Sequence, residues 1–193
     1  ACCLAGCGTA SGARPATGSI DVVAPAGPVP VEVDAPTPQL PTTVVGADGR
    51  EVTVSDVSRV VALQGPIAET VVALGLGDRL VARDESATFA EAADLPVVSS
   101  GHTISAESVL AQRPSLVLTD ARTGPQEALD ALRAAGVAVV EVPEVWTLDE
   151  MGPRLRAVGA ALGVPAAAEV LTSRLGGLVA RTDPAGPRVA FLY

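Results

Sequence analysis

The chain has 193 residues, of which 48% are hydrophobic and only 2% aromatic, and its formal net charge is −9 with no lysine among the 13 basic residues. This length suits one domain, and the hydrophobic content excludes a wholly disordered chain. The negative charge and the shortage of aromatic rings disfavour polyanions and single-stranded nucleic acids as partners. No hydrophobic run is as long as the roughly 18 residues that a transmembrane helix needs.

The first seven residues hold all three cysteines, Cys2, Cys3 and Cys7. No later cysteine can pair with them, so they cannot crosslink a core, and a zinc site there would lack further ligands. The string Leu-Ala-Gly that precedes Cys7 resembles the lipobox of bacterial lipoproteins, in which small residues lead to the cysteine that carries the lipid. We therefore predict that residues 1–7 are the end of a lipoprotein signal peptide and that Cys7 is lipidated, which would anchor the protein at the extracellular face of the cell membrane.

The next segment, residues 8–42, contains seven prolines among glycine, serine and threonine. Proline favours extended backbone, and the segment has almost no helical periodicity. We predict a tether between the membrane anchor and a folded domain.

From residue 43 onward, short hydrophobic runs alternate with helical patterns. The alternation predicts an α/β fold with a mostly parallel sheet flanked by helices, in which ligands bind at the carboxyl ends of the strands. In chain order the predicted elements are hairpin strands 43–45 and 51–54, strand 59–63, helix 66–74, strands 80–82 and 96–98, helix 106–112, strand 116–119, helix 125–135, strand 137–142, helix 147–162, helix 166–181 and strand 187–193.

Local signals set several of these boundaries. Asp48-Gly49 favours a hairpin turn, and Pro66 suits the first turn of a helix. Ser105 is a good N-cap, and Thr147 with Glu150 forms the pattern of a capping box. These signals make the element order more secure than the exact ends of each element.

No catalytic or phosphate-binding motif accompanies the fold. The turn after the first strand of the sheet, Gln64-Gly65-Pro66, has neither the glycines nor the lysine of a nucleotide-binding loop, and no GxSxG elbow occurs. A small nucleotide-dependent α/β enzyme is therefore disfavoured, and we predict that the chain is not an enzyme.

The single histidine of the sequence is His102, in a loop after a strand, and the single tyrosine is Tyr193, at the end of the last strand. Position alone does not decide their roles, since a lone histidine is often a surface residue and a lone tyrosine often a core aromatic. Glu107 by itself is a helix-dipole residue, because it lies in the first turn of a predicted helix.

The order of these segments resembles the family of binding proteins for heme, siderophores and cobalamin, which are the substrate-binding components of ABC importers. Residues 83–89 with 101–107 are similar to the heme-binding branch, although Ala90 stands where that branch usually has proline. The wider resemblance rests on residues 59–63, 67–75, 80–84 and 104–118.

The resemblance implies a class III periplasmic-binding-protein fold, with two lobes joined by a long helix and the ligand between the lobes. It assigns residues 43–164 to the N-terminal lobe, 165–186 to the interlobe helix and 187–193 to the first strand of a C-terminal lobe. On this interpretation the chain is a fragment that ends inside the second lobe.

The resemblance also implies a site. His102 and Tyr193 match the axial ligands of the heme iron, one from each lobe, and imidazole and phenolate both bind ferric heme. Arg83 or backbone donors near Ser99 to Gly101 are candidate contacts for the heme propionates. Glu107 matches the glutamate that docks on the permease. The expected partners are heme as the transported ligand, the permease and ATPase subunits, and the membrane through the lipid anchor; we expect a monomer that binds no nucleic acid.

Two alternatives stay open. A ferric-siderophore or cobalamin carrier of the same family would not need His102. A lipid-anchored surface interaction module would share the lipobox and bind no small ligand stoichiometrically.

Overall fold

The computed structural model of the chain describes residues 36–179, with side chains to residue 177. Its strands are β1 (Thr42–Val45), β2 (Glu51–Val54), β3 (Val60–Ala62), β4 (Leu80–Asp84), β5 (Val97–Ser100), β6 (Thr103–Ile104), β7 (Leu116–Thr119) and β8 (Ala138–Glu141). Its α-helices are α1 (Gly65–Ala73), α2 (Ala106–Leu110), α3 (Gln126–Ala134), α4 (Leu148–Ala161) and α5 (Pro165–Val179). The predicted lipidation site Cys7, most of the tether, the strand 187–193 and Tyr193 lie outside the described residues.

The described strands form two sheets. Strands β1 and β2 pair as an antiparallel hairpin, and the other six lie in the order β6-β5-β4-β3-β7-β8. All neighbours in the larger sheet are parallel except β5 and β6. Helices flank the sheet, so the predicted α/β fold with a mostly parallel sheet is confirmed.

The sheet separates two hydrophobic layers. Alternate residues of β3 point to opposite faces, with Val60 in one layer and Val61 in the other. One layer packs the sheet against α1, α4 and α5, and the other packs it against α2 and α3. Each fully buried leucine, isoleucine or valine contributes about 1.5–3 kcal/mol, so these layers hold the strands and therefore fix where their carboxyl ends lie.

The local signals act as predicted. Gly49 takes a φ of +77° in the hairpin turn, and the Ser105 hydroxyl accepts a hydrogen bond from the Ser108 amide at the start of α2. The Glu150 carboxylate accepts the amide of Thr147 at 2.8 Å and completes the capping box of α4. Predicted and observed ends of these helices differ by one or two residues, as fraying ends commonly do.

One strand of the sheet was not predicted. The chain turns back after β5 at Gly101 and His102, and Thr103–Ile104 then pairs antiparallel with β5. Two residues are too few to produce a recognisable alternation of hydrophobic and polar side chains. Within residues 36–179 no helix has the combined length and hydrophobicity to cross a bilayer.

Candidate functional site at the carboxyl edge of the sheet

The carboxyl ends of five parallel strands meet at one edge of the sheet. Strand β3 lies between β4 and β7. The chain passes from β3 to β4 on one side of it and later returns to form β7 on the other side. Such a change of direction opens a crevice at the carboxyl edge, where α/β sheets bind their ligands. Polar residues follow these strands at that edge, among them Gln64, Asp84, Glu85, Asp120, Arg122, Thr123 and Glu144.

His102 stands at this edge in an unusual backbone conformation. Its φ is +67°, and Gly101 before it has a φ of +55°. The left-handed region costs an ordinary residue about 1–2 kcal/mol, although histidine enters it more often than most. The residue is exposed, and its carbonyl accepts the Gly124 amide at 2.9 Å. The backbone of His102 is therefore fixed while its side chain faces solvent.

Glu85 holds the loop that carries His102. Its carboxylate accepts the Ser100 hydroxyl and the Gly101 amide, each at 2.6 Å. The Ser100 hydroxyl, followed by the Gly101 amide, lowers the pKa of Glu85 because both bonds favour the charged carboxylate. The ionised form of Glu85 therefore secures the turn between β5 and β6.

The turns after β3 and β4 are joined through Asp84. This buried carboxylate accepts hydrogen bonds from the amide and the hydroxyl of Ser86. The Ser86 hydroxyl in turn accepts the Gly65 amide at 3.1 Å. A Cβ at Gly65 would lie only 2.6 Å from that hydroxyl oxygen, so glycine permits the close approach.

A buried ion cluster lies under the loop after β7. The side chain of Asp120 is fully buried, and its Oδ2 accepts Nη2 of Arg122 at 3.0 Å and Nη2 of Arg154 at 3.2 Å. Arg154, on α4, is also buried and donates from Nε to the Pro143 carbonyl at 2.7 Å. Burial lowers the pKa of Arg154, but a guanidinium stays charged, so Asp120 must neutralise it.

The same loop crosses the sheet edge from β7 to His102. The Gln64 amide nitrogen donates to the Thr123 hydroxyl at 3.0 Å, which ties the loop to the end of β3. The Gly124 amide bonds the His102 carbonyl, and the Gly124 carbonyl accepts the Ile104 amide at 2.9 Å. One hydrogen-bonded surface thus runs from His102 to Arg122.

At the end of this surface, Arg122 lies beside an exposed aromatic ring. Its guanidinium carbon lies 5.9 Å from the centre of the Trp146 ring, and the Trp146 residue is 74% exposed. The Trp146 indole donates to Glu144 at 2.9 Å, and Glu144 lies 3.8 Å from Nε of Arg122. The loop after β8 therefore places a cation, an aromatic ring and a carboxylate together at the carboxyl edge.

Arg122 also faces a cavity of about 1090 Å³ between α1, α4 and α5. Arg154 and Arg174 contribute two further guanidinium groups to its wall. The remaining lining is mainly apolar: Pro66, Ala73, Val145, Met151, Leu155, Leu171 and Leu175. His102 is not part of this lining, whereas Arg122 belongs both to the lining and to the loop that bonds to His102 through Gly124.

Of the other predicted site residues, the structure describes Arg83 and Glu107. Arg83, in β4, is half-buried and donates to the backbone carbonyls of Leu95 and Asp84, both at 3.3 Å. Glu107 is exposed in the first turn of α2, where a docking residue needs to be accessible. Tyr193 and Cys7 fall outside the described residues.

Sequence reasoning missed Asp120, Arg122 and Arg154. Asp120 directly follows a fully buried parallel strand and Arg122 comes two residues later, which is a recognisable signal for a site. Arg154 shares a helical face with Val158 and Leu162, four and eight residues on, which marks a charge on a buried face.

The chain is similar to solved and curated binding proteins. The sequence profile described as periplasmic binding protein matches residues 60–187. The heme binding protein HmuT shares 36% identity with a TM-score of 0.74 over 83% of this chain and 55% of its own. The periplasmic heme-binding protein RhuT of Roseiflexus sp. RS-1 shares 35% identity with a TM-score of 0.62 over 65% of this chain and 48% of its own.

A curated relative has a different ligand in its name. The vitamin B12-binding protein of Yersinia pestis (strain Pestoides F) is 38% identical over 82 residues, which are 42% of this chain and 29% of that protein. Solved structures of HmuT include variants in which a histidine, a tyrosine or an arginine is replaced by alanine, with the arginine two positions after the tyrosine.

The chain spans about half the length of the solved heme-binding proteins that it matches. Periplasmic binding proteins are transport components, which agrees with the prediction that the chain is not an enzyme. The sequence profile covers well over half of the 193 residues, and the fold matches at 36% identity. The chain therefore belongs to the periplasmic binding protein family.

Proposed function

We propose that the protein captures heme outside the cell and delivers it to the permease of an ABC importer. The observation that carries the proposal is the placement of His102: an exposed imidazole on a hydrogen-bonded loop at the carboxyl edge of the sheet. Neutral imidazole is a common axial ligand of ferric heme, and a side chain that faces solvent is free to meet the iron. The likeness to proteins named as heme-binding supports this choice of ligand.

Tyr193 is proposed as the second axial ligand, from the other lobe. Iron held by one ligand from each lobe would couple binding to closure of the lobes around the heme. The histidine and tyrosine variants made in HmuT support this pairing of residue types.

Delivery is proposed to use two further residues. The exposed carboxylate of Glu107 would pair with an arginine of the permease, a contact suited to a carrier that must dissociate again. Lipid on Cys7 would keep the protein at the extracellular face of the membrane, where a monomeric carrier meets its permease.

Titration with ferric heme tests the ligand. We expect the full-length gene product to bind one heme with a shifted Soret band, and to bind cyanocobalamin and a ferric siderophore much more weakly. His102→Ala should alter the Soret band and weaken binding, whereas Thr103→Ala, at the next and likewise exposed position, should not. An unchanged Soret band and affinity in His102→Ala would refute the role of His102.

Cobalamin is the second candidate, because the curated relative of 38% identity is a vitamin B12-binding protein. Tighter binding of cyanocobalamin than of heme would select this function. Stoichiometric binding of neither ligand, nor of the siderophore, would instead favour a surface interaction module.

A further inference from the structure

We propose that Arg122 binds a propionate carboxylate of the heme whose iron His102 holds. The inference rests on the proposed function and adds to it a residue that selects porphyrins with free carboxylates. It is argued from the position of Arg122, the unused donors of its guanidinium and the charge around it.

The loop after β7 brings Arg122 within reach of the same ligand as His102. Gly124 is hydrogen-bonded to His102, and Arg122 precedes Gly124 by two residues. Consecutive Cα atoms are about 3.8 Å apart, so the Cα atoms of Arg122 and Gly124 are separated by no more than about 8 Å. We infer from this spacing that one porphyrin can contact both His102 and Arg122.

The guanidinium of Arg122 is positioned but not saturated. Nη2 donates to Asp120 at 3.0 Å, and Nη1 makes no hydrogen bond to any of the residues that the structure describes. A guanidinium has more N–H donors than one carboxylate oxygen can use. The side chain is 37% exposed, so its remaining donors are available to a ligand carboxylate, which guanidinium groups bind in a two-point geometry.

The charges around Arg122 include a partly exposed carboxylate with which a ligand anion would compete. The single buried carboxylate of Asp120 faces two guanidinium groups, those of Arg122 and Arg154. After Asp120, the nearest carboxylate to Arg122 is that of Glu144. It lies 3.8 Å from Nε of Arg122, which is beyond hydrogen-bond distance, and it is partly exposed. A propionate that arrives beside Arg122 therefore competes with Glu144 for the guanidinium.

Arg83 and Arg154 differ from Arg122 in their exposure and in the groups to which their guanidiniums donate. Arg83 donates to two backbone carbonyls, and Arg154 is buried between Asp120 and the Pro143 carbonyl. Arg122 alone of these three combines a fixed position at the edge, exposure and unused donors. The exposed Trp146 ring beside it adds a flat apolar surface for the porphyrin edge.

The test compares heme with its dimethyl ester, in which both carboxylates are blocked, on the full-length gene product. Arg122→Gln should weaken heme binding about 10- to 100-fold, the range for a lost hydrogen bond to a charged group, and should change ester binding less than about threefold. Glu144→Gln should act in the opposite direction and strengthen heme binding, because it removes the competing carboxylate. Arg79→Gln is the matched control, because the Arg79 side chain is similarly exposed but lies directly before the start of β4, and it should leave the ratio of the two affinities unchanged.

Equal loss of both ligands in Arg122→Gln, or no loss of either, overturns the assignment of Arg122. If Arg122→Gln unfolds at a lower temperature than the unmodified protein, Glu144→Gln tests the inference instead. Weaker or unchanged heme binding in Glu144→Gln would contradict competition between Glu144 and the propionate for Arg122. If the unmodified protein does not bind heme at all, both the proposed function and this inference are overturned. If the unmodified protein binds heme and the ester tightly, and Arg122→Gln loses affinity for both equally, only this inference is overturned.

Discussion

The two loops that meet at the carboxyl edge are built in opposite ways. The loop after β5 presents His102 on the surface and is held by the exposed carboxylate of Glu85. The loop after β7 is built on Asp120, a carboxylate with no solvent exposure that holds one arginine inside the core and another at the surface. We therefore expect the side chain of His102 to matter little to the packing of the core, whereas the support of Arg122 is part of the core.

Asp120→Ala should have the largest effect on stability. It leaves the Arg154 guanidinium buried without a partner, and breaking a buried pair in this way costs about 3–5 kcal/mol. Urea unfolding followed by circular dichroism measures the loss. Asp130→Ala is the control, because Asp130 pairs with Arg133 at the surface and its loss should be far smaller. If both variants lose the same free energy of unfolding, the Asp120 cluster does not stabilise the core.

Substitutions of His102 should rank by how well each side chain tolerates a positive φ. His102→Gly should unfold within about 0.5 kcal/mol of the unmodified protein, because relief of strain offsets the greater freedom of glycine in the unfolded chain. His102→Val should lose about 1–2 kcal/mol, since β-branched residues are poorly tolerated there. Equal stability of the glycine and valine variants would contradict the left-handed conformation at His102.

Glu85→Gln should weaken heme binding several-fold and should also lower stability slightly at neutral pH, where the ionised carboxylate holds the loop. The carboxylate accepts the Ser100 hydroxyl through one oxygen and the Gly101 amide through the other, whereas glutamine has an acceptor oxygen at only one of these positions and carries no charge. Heme titration gives the affinity, and Glu91→Gln, at another exposed position, is the control. An affinity equal to that of the control would show that Glu85 does not support the loop.

The acid dependence of folding tests the same carboxylate. The pKa of Glu85 is lowered in the folded state, so its contribution to stability is present above the ordinary pKa of glutamate and is lost as the pH falls through the lower folded value. As the pH falls below the ordinary pKa of glutamate, stability should therefore fall less steeply in Glu85→Gln than in the unmodified protein. Unfolding curves over this range give the slope, and identical slopes would contradict the proposed hydrogen bonds of Glu85.

Trp146 should give the smallest change in affinity and a clear optical signal. It is the single tryptophan among the 193 residues and is mostly exposed beside Arg122. Bound heme should quench its emission, and Trp146→Phe should remove most of the signal while keeping an aromatic ring. Unquenched emission at saturating heme would place the ligand away from the loop after β8.

Features governed by neighbouring residues could be predicted from the sequence. The turn at Gly49, the N-cap at Ser105 and the capping box at Thr147 each depend on residues within four positions. The order of strands and helices followed from hydrophobic runs between such signals. His102 and Glu107 could be selected because a resemblance covers their immediate surroundings.

Features that join distant parts of the chain could not be predicted in this way. Asp120 meets Arg154 across 34 residues, and the bond from Gly124 to His102 depends on how far the loop after β7 reaches over the sheet. Charged side chains such as Arg122 and Arg83 look alike in sequence, and only packing decides which one keeps unused donors at the surface. The positive φ of His102 likewise follows from the unforeseen strand β6, which requires the chain to turn back.

Heme binding by His102→Gly, with and without added imidazole, tests the central claim most directly. Glycine fits the backbone at this position, so the variant keeps the fold while losing the proposed iron ligand. We predict that the Soret band and the electron paramagnetic resonance spectrum change in the variant and return toward those of the unmodified protein when imidazole is added. Spectra and affinity that match the unmodified protein without imidazole would contradict ligation of the heme iron by His102.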